Sequence, residues 1–366
     1  MTSVRLNKPS RTPILDLVRI SAASLVFFHH LWGGSQTLLQ LKNPYKPVYG
    51  NPNIPKFLNH LFGVGFLGVE IFFVVSGAII ARSAINKTPA QFVIARFVRL
   101  SPTYIFAIIV TSVIGLKEFI YPQYNSIYLT IQSLTFTNYA YENPNIDPPT
   151  WTLWYELRFY GLVLLLLLAL SKLKLSGRQV FITASLVWLF LISLPQIRTS
   201  AIGFLLVQDY APFFILGCLI GLLRGTRELM LFSPAIVISG MFCIHQAIGR
   251  INDSAQSLKW GLGLLAFGVF LILLDQFVKP IKGRAGKLIA TLGRASYPLY
   301  LLHHVLGLGL VSIFVRHSIS PVIAIDMTYI IILLMSIFVV FQVEDRFAGR
   351  IATFMNQTWM RASLEK

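Results

Sequence analysis

The feature that most constrains this chain is a series of apolar runs that recurs from one end to the other. Each run approaches the length of about 20 residues that an α-helix needs to cross a bilayer. Such runs must form helices, because in hydrocarbon the backbone amides and carbonyls have to be hydrogen-bonded within the protein. Charged residues make up only 12% of the sequence, whereas about 25% is usual in soluble domains. The sequence therefore predicts an all-α, polytopic integral membrane protein.

About ten transmembrane helices are predicted, and no long polar segment separates them. We therefore interpret residues 1–366 as one integral membrane domain without a fused soluble domain. The predicted spans are 14–33, 62–82, 102–121, 151–171, 179–195, 202–223, 229–249, 257–277, 296–315 and 319–341.

The basic residues favour an orientation with both termini in the cytoplasm. In that orientation Lys and Arg are more frequent on the inner flanks of the spans than on the outer flanks, as the positive-inside rule requires. The formal net charge of +17 therefore does not indicate nucleic acid, since the basic residues are dispersed among short connections. Cys218 and Cys243 lie inside apolar runs without metal-ligand spacing, and we interpret them as packing residues.

A short helix over residues 89–100 is predicted to lie along the inner surface, before the third span. Thr88-Pro89 and Ser101-Pro102 each resemble an N-cap followed by proline at the first helical position. Arg96 and Arg99 share one side of this helix at i and i+3, where two guanidinium groups suit the phosphates of a nucleotide-bearing cofactor. Anionic lipid is the alternative ligand.

Polar residues in the first span indicate a functional site. Arg19 and His30 are eleven residues apart, which is three helical turns plus about 20°, so they share one face, and His29 points about 80° away from it. His30 is the first catalytic candidate, because imidazole exchanges protons near neutral pH. The alternatives are that Arg19 snorkels or pairs with Asp16, and that His30 hydrogen-bonds a neighbouring helix.

Two carboxylates lie in apolar surroundings. Glu70, in GVGFLGVEIFFVVSGAII, needs a charged partner or an aqueous cavity, and pairing with an arginine is as reasonable as a catalytic role. Glu156, in WTLWYELRFY, shares a helix face with Tyr160 at i+4. Glu156 is a candidate for orienting His30 or for binding the hydroxyl of an acceptor.

The segment SYPLYLLHH is predicted to open the ninth span, with Ser296 as its N-cap. Tyr300 and His303 then follow Ser296 along one helix face. Both are candidate site residues, although for His303 a structural role is favoured.

These motifs, in this order, resemble the membrane-bound acyltransferase-3 family, whose members acylate surface glycans, lipopolysaccharide, exopolysaccharide and other acceptors with acyl-CoA. Arg19 and His30 match the family's motif of an arginine, ten residues and a histidine. The segment 68–77 is similar to the G-V-[DE]-x-F-F-V-x-S-G element, and Arg96 with Arg99 is similar to R-x-x-R. Further similarity lies at Trp151, Glu156, Tyr160, Ser296, Tyr297, Tyr300, His303 and Glu344, with Arg346 where the family often has proline.

The resemblance implies a bacterial inner-membrane enzyme that moves an acyl group, in the first instance acetyl, to a hydroxyl of a cell-surface or exported glycan or lipid-linked saccharide. The donor would be cytoplasmic acetyl-CoA, held by Arg96 and Arg99. His30 would act as a general base or as the acyl carrier. The resemblance implies no metal and no permanently bound cofactor, and the expected partners are membrane lipids and, where one is needed, a separate extracytoplasmic transfer protein.

Two other classes of protein remain open at this point. Intramembrane Arg, Glu and His side chains also form the relay of a secondary transporter, but the sequence shows no paired interrupted helices in two halves. A membrane haem protein would use histidines of the first and ninth spans as axial ligands. The sequence contains no P-loop and no glycine-rich dinucleotide motif.

Overall fold

The computed structural model of the chain is helical throughout the residues it describes. These residues are 13–33, 45–48, 54–114, 127–139, 141, 143–172, 177–198, 200–223, 225–251 and 255–350, and they contain no β-strand. The α-helices are α1 (Pro13–Trp32), α2 (Lys56–Gly63), α3 (Gly68–Ala84), α4 (Pro89–Ile114), α5 (Ile127–Thr135), α6 (Trp151–Lys172), α7 (Gly177–Ser193), α8 (Pro195–Arg198), α9 (Ala201–Leu205), α10 (Ala211–Leu222), α11 (Gly225–Leu231), α12 (Ser233–Ile248), α13 (Ala255–Leu274), α14 (Gly283–Leu302), α15 (Val305–Arg316) and α16 (Pro321–Val339). The all-α prediction is confirmed.

Within this part of the chain, six helices are long and apolar enough to cross a membrane, or up to eight if two bent pairs each count as one span. The bent pairs are α11 with α12, at 65°, and α14 with α15, at 74°. The helices α7 and α10 are apolar but shorter. The chain is therefore a multi-pass membrane protein. The count of ten spans and the cytoplasmic termini stay predictions, and the sequence analysis missed both interruptions.

The prediction of a separate surface helix over residues 89–100 is wrong. The helix α4 runs without a break from Pro89 to Ile114 and contains Pro102 in its interior. Proline lacks an N–H group and its ring crowds the carbonyl four residues earlier, yet membrane helices tolerate it when neighbouring groups satisfy the freed carbonyl. Arg96 and Arg99 therefore belong to the same helix as the apolar residues that follow. The predicted end of this span, 115–121, lies outside the described residues.

The predicted start of the ninth span is also wrong. Ser296 is fully buried inside α14 and does not cap it. The chain instead bends at His303 and His304, between α14 and α15. The SYPLYLLHH segment therefore ends a helix, and its two histidines lie at a helix break.

The chain forms two compact units, each assembled from separate stretches of sequence. The first unit comprises Met1–Ala22, Phe66–Pro89 and Tyr155–Gly293. Its centre is the packing of α3 against α10, a helix in which every residue is buried. A Cβ atom at Gly77 would clash with the carbonyl oxygen of Phe214, and one at Gly217 with that of Val74. Small residues of this kind allow two membrane helices to approach until their backbones touch.

The second unit comprises Ala23–Gly65, Ala90–Trp154 and Arg294–Lys366. It contains the C-terminal part of α1, which is fixed by hydrogen bonds at its last turn. Tyr45 donates to the carbonyl of Leu31 at 2.7 Å, and the indole of Trp32 donates to Asn59 at 3.2 Å. His29 Nδ1 lies 2.9 Å from the carbonyl oxygen of Phe62. These bonds hold the end of α1 that carries His30.

We predict that Gly217→Ala destabilises the protein, because the added methyl group would force α10 away from the α3 backbone. Overpacking of this kind costs about 1–3 kcal/mol. Thermal unfolding in detergent would measure the effect. The matched control is Gly263→Ala in α13, where a Cβ atom would meet nothing within 4 Å, and equal stability of the two variants would contradict the prediction.

Candidate active site

His30 is held in a single tautomer by the groups around its Nδ1 atom. This atom lies 3.0 Å from the carbonyl oxygen of Val26 and 3.1 Å from Nε2 of His303. A carbonyl oxygen only accepts hydrogen bonds, so we assign the ring proton to Nδ1. The lone pair of the neutral ring then lies on Nε2, which is the nitrogen that a general base or a nucleophile requires.

His303 is fixed in the same way and supports His30. Its Nδ1 contacts the carbonyl oxygen of Tyr300 and therefore carries the proton, which makes its Nε2 an acceptor for the N–H of His30. When His30 gains a proton on Nε2, this bond becomes charge-assisted and stronger. His303 is fully buried, and both of its ring nitrogens are engaged within the protein.

Two residues that the sequence analysis did not single out complete this cluster. The ring of His304 lies edge-on to that of His30, with centroids 5.1 Å apart. Its Nδ1 lies 3.8 Å from Oδ1 of Asp147, and within the described residues neither atom has a hydrogen-bond partner. In the sequence, the signals for these two residues were the pair of consecutive histidines and an aspartate that is followed by two prolines. His30, His303, His304 and Asp147 together form what we call the histidine cluster.

Asp147 is deeply buried, and its position is fixed by the turn that follows it. Thr111 donates to Oδ2 of Asp147 at 3.3 Å, and Tyr300 donates to the carbonyl of Pro149 at 3.1 Å. Tyr300 therefore ties the 147–150 turn to the end of α14. Asp147 directly precedes the candidate span that begins at Pro148. Loss of hydration raises the pKa of its carboxyl group to about 8, although the hydrogen bond from Thr111 acts in the opposite direction and lowers the pKa.

In the first unit, Glu156 is joined to two hydroxyl groups. Tyr160 donates to Oε1 of Glu156, and Ser76 donates to the same oxygen at 3.0 Å. The predicted shared face of Glu156 and Tyr160 is confirmed. Ser76 was missed as a site residue, although it lies in the apolar motif that also contains Glu70. That Glu156 orients His30 stays a prediction.

Glu70 forms an ion pair, which was the alternative to a catalytic role. Its Oε1 lies 2.7 Å from Nη1 of Arg250, and the Glu70 side chain is only 3% exposed. Arg250 also donates to the carbonyl of Asp209 at 2.8 Å and lies 4.0 Å from the ring centroid of Tyr210. Such a network compensates for a carboxylate in apolar surroundings.

Arg99 and Arg294 face two acidic residues at the end of α16. A π-helical turn, Val340–Glu344, follows α16. Arg99 contacts Glu344 at 2.8 Å and Arg294 contacts Asp345 at 2.6 Å. The second terminal nitrogen of Arg99, Nη2, is buried and has no hydrogen-bond partner among the described residues. Arg99 is thus oriented by one bond and retains a donor for a further ligand.

The remaining predicted residues are Arg19 and Arg96. Arg19 is half-buried in the part of α1 that belongs to the first unit, one turn after the buried Asp16. Arg96 is half-buried on α4, with its guanidinium 5.9 Å from the ring centroid of Phe92. Their roles in the site stay predictions.

The chain matches a known protein family over almost all of its length. An acyltransferase domain matches residues 13–343, which is nearly the whole chain, and the chain is therefore a membrane acyltransferase. It belongs to the acyltransferase-3 family. No curated protein and no solved structure matched the chain.

We predict that the Glu70–Arg250 pair stabilises the fold without taking part in acyl transfer. A double-mutant cycle with Glu70→Gln and Arg250→Gln should give a coupling free energy of about 1–3 kcal/mol in detergent unfolding. The matched control is the more exposed pair Arg178–Glu228, whose coupling should stay below about 1 kcal/mol. If folded Glu70→Gln protein loses acyl transfer, the purely structural role is wrong.

Proposed function

We propose that this protein is an O-acyltransferase that moves an acetyl group from cytoplasmic acetyl-CoA to a hydroxyl of a cell-surface or exported glycan or lipid-linked saccharide. We place it in the bacterial inner membrane. The observation that carries the proposal is the fixed tautomer of His30, which leaves the lone pair on Nε2. In a member of the acyltransferase-3 family, such a nitrogen is suited to activate a hydroxyl for acyl transfer.

The donor phosphates are assigned to Arg96 and Arg99. The buried Nη2 of Arg99 is a donor that no described protein group satisfies, and an unsatisfied buried donor is costly unless a ligand completes it. Guanidinium groups bind phosphate oxygens with two parallel N–H bonds. Glu344 holds the other terminal nitrogen of Arg99 at 2.8 Å, so the side chain is positioned before acetyl-CoA arrives.

His30 acts on the reacting groups through Nε2. As a general base, it removes the proton from the acceptor hydroxyl while the hydroxyl oxygen attacks the thioester carbonyl. The resulting imidazolium is stabilised by its Nδ1–H bond to His303, 3.1 Å away. The same lone pair also permits attack on the thioester to form an acyl-imidazole. Acyl label on the protein distinguishes this second route from the first.

Glu156 is assigned to the acceptor. The hydrogen bonds that its carboxylate accepts from Ser76 and Tyr160 both reach Oε1. A carboxylate has acceptor capacity on both oxygens, and no hydrogen bond from a described residue reaches Oε2, so we assign Oε2 to a sugar hydroxyl. Arg19 is the candidate for stabilising the oxyanion of the tetrahedral intermediate. Where the acceptor must be carried further, a separate extracytoplasmic transfer protein would receive the product.

We predict that His30→Ala abolishes transfer of labelled acetyl from acetyl-CoA to membrane glycans, because no other group in the proposed mechanism removes the proton from the acceptor hydroxyl. Loss of general-base catalysis lowers the rate by about 10²–10⁴-fold. Membranes with equal amounts of folded protein would be compared, with His317→Asn, at the exposed residue that follows α15, as the control. Transfer by wild type that persists in His30→Ala would contradict the assignment.

We predict that Arg96→Gln and Arg99→Lys raise the KM for acetyl-CoA by about 10-fold or more while kcat changes less. Each substitution removes phosphate contacts that form before the chemical step, and hydrogen bonds to charged groups contribute about 1.5–3 kcal/mol. Lysine is used at position 99 to retain a cation beside Glu344. Arg227→Gln, on the exposed α11, is the control. An unchanged KM in both variants would refute this donor site.

A further inference from the structure

The proposed mechanism does not say which group protonates the leaving thiolate of CoA, and the histidine cluster contains two buried groups that it does not use. When the thioester breaks, the leaving thiolate of CoA needs a proton. His30 could supply it only if its Nε2, which takes the proton of the acceptor hydroxyl, also reached the leaving sulfur. Asp147 and His304 are the unused groups, with side chains 1% and 9% exposed.

His304 differs from His303 in the groups that its ring nitrogens contact. Both nitrogens of His303 are engaged, one with the carbonyl of Tyr300 and one with His30. In His304, Nδ1 faces the carboxylate of Asp147, and no hydrogen bond from a described residue reaches Nε2. The helix break between α14 and α15 brings both consecutive rings to His30, with centroid distances of 5.0 Å and 5.1 Å. His304 is therefore the second imidazole of the cluster that is available for acid–base chemistry.

The two unsatisfied atoms lie slightly too far apart for a hydrogen bond, and a small movement of either side chain would let them share a proton. Oδ1 of Asp147 and Nδ1 of His304 are buried, 3.8 Å apart and without hydrogen bonds in the described chain. An isolated buried carboxylate is costly, so the pair is stable when it holds one proton, either on the carboxyl group or as an ion pair with imidazolium. Burial raises the pKa of Asp147 to about 8, which means that the carboxyl group binds a proton at neutral pH.

We propose that Asp147 and His304 form a second acid–base pair, which holds one proton and delivers it through the His304 imidazole to the thiolate that leaves acetyl-CoA. The inference rests on the proposed function, in which His30 takes the proton of the acceptor. His304 is then a catalytic residue, and Asp147 is a positioning residue that supplies and recovers the proton through it.

The protons and bonds balance over one turnover. The acceptor O–H breaks and its proton moves to His30, the new C–O ester bond forms, and the C–S bond breaks. The electron pair of the C–S bond leaves on sulfur, which takes a proton from Nε2 of His304 and departs as the thiol, while the proton of Asp147 moves to Nδ1 of His304. His30 is then protonated and the Asp147–His304 pair lacks one proton. Transfer from His30 back to the pair restores the starting state without any further reactant.

The test compares acetyl-CoA with its selenium analogue, acetyl-seleno-CoA, in detergent-purified full-length protein. A selenol is far more acidic than a thiol, so the selenolate leaves without needing a proton. His304→Gln and Asp147→Asn should each lower kcat with acetyl-CoA by about 10²-fold. With the selenoester both variants should regain most of the wild-type rate, whereas His30→Ala should remain inactive with either donor.

The controls separate this inference from structural damage and from the proposed function. His317→Asn, at the exposed residue that follows α15, should match wild type with both donors. The double variant of His304 and Asp147 should lose no more activity than either single variant, because the pair acts as one unit. Asp147→Asn conserves size, so it carries the test if His304→Gln does not fold.

Equal losses with the thioester and the selenoester would overturn the inference, because a structural role does not depend on the leaving group. Normal transfer by folded Asp147→Asn and His304→Gln would overturn it as well. Wild-type protein that transfers acetyl from neither donor would instead refute the proposed function, and the second acid–base pair with it.

Discussion

A charged side chain in hydrocarbon is tolerated only when another group compensates for its charge, and this constraint organises the polar interior of both units. In the first unit, Arg250 pairs with Glu70 and Arg82 pairs with Asp275, each at 2.7 Å. In the second unit, Glu344 accepts from Arg99 and Thr103. These carboxylates are nearly inaccessible to solvent, whereas their arginine partners keep some exposure. The free energy of desolvation is therefore larger for the acid than for the arginine.

The histidine cluster follows a different principle, because it is built without a permanent charge next to His30. Backbone carbonyls of Val26 and Tyr300 fix the protons of His30 and His303. A carbonyl oxygen defines a tautomer as firmly as a carboxylate does. Because it is uncharged, however, it does not stabilise the protonated imidazolium form as a carboxylate would. In the proposed mechanism His30 is neutral until the acceptor hydroxyl supplies the proton.

The sequence predicted the parts of the fold and site that depend on local spacing. The apolar runs gave the helices, the interval between Arg19 and His30 placed both on α1, and the i, i+4 spacing brought Tyr160 to Glu156. The contacts of Asp147, His304 and Ser76 depend on residues far away along the chain, and no local pattern encodes such contacts. The two local errors have one origin. Proline was taken as a helix start at Pro102, and serine as a cap at Ser296, whereas packing around each continued the helix.

The π-helical turn after α16 has a further consequence for how this chain can vary. A π turn accommodates one residue more than an α turn, so the helix beyond it is rotated by about one residue position, or 100°. Through that rotation, two consecutive acids, Glu344 and Asp345, each meet an arginine. If the turn became ordinary α-helix at the same length, both acids would rotate away from their partners, whereas loss of one of residues 340–343 would remove the extra residue and keep them in place. This segment is therefore a point where the chain can lose one residue during divergence and keep both ion pairs.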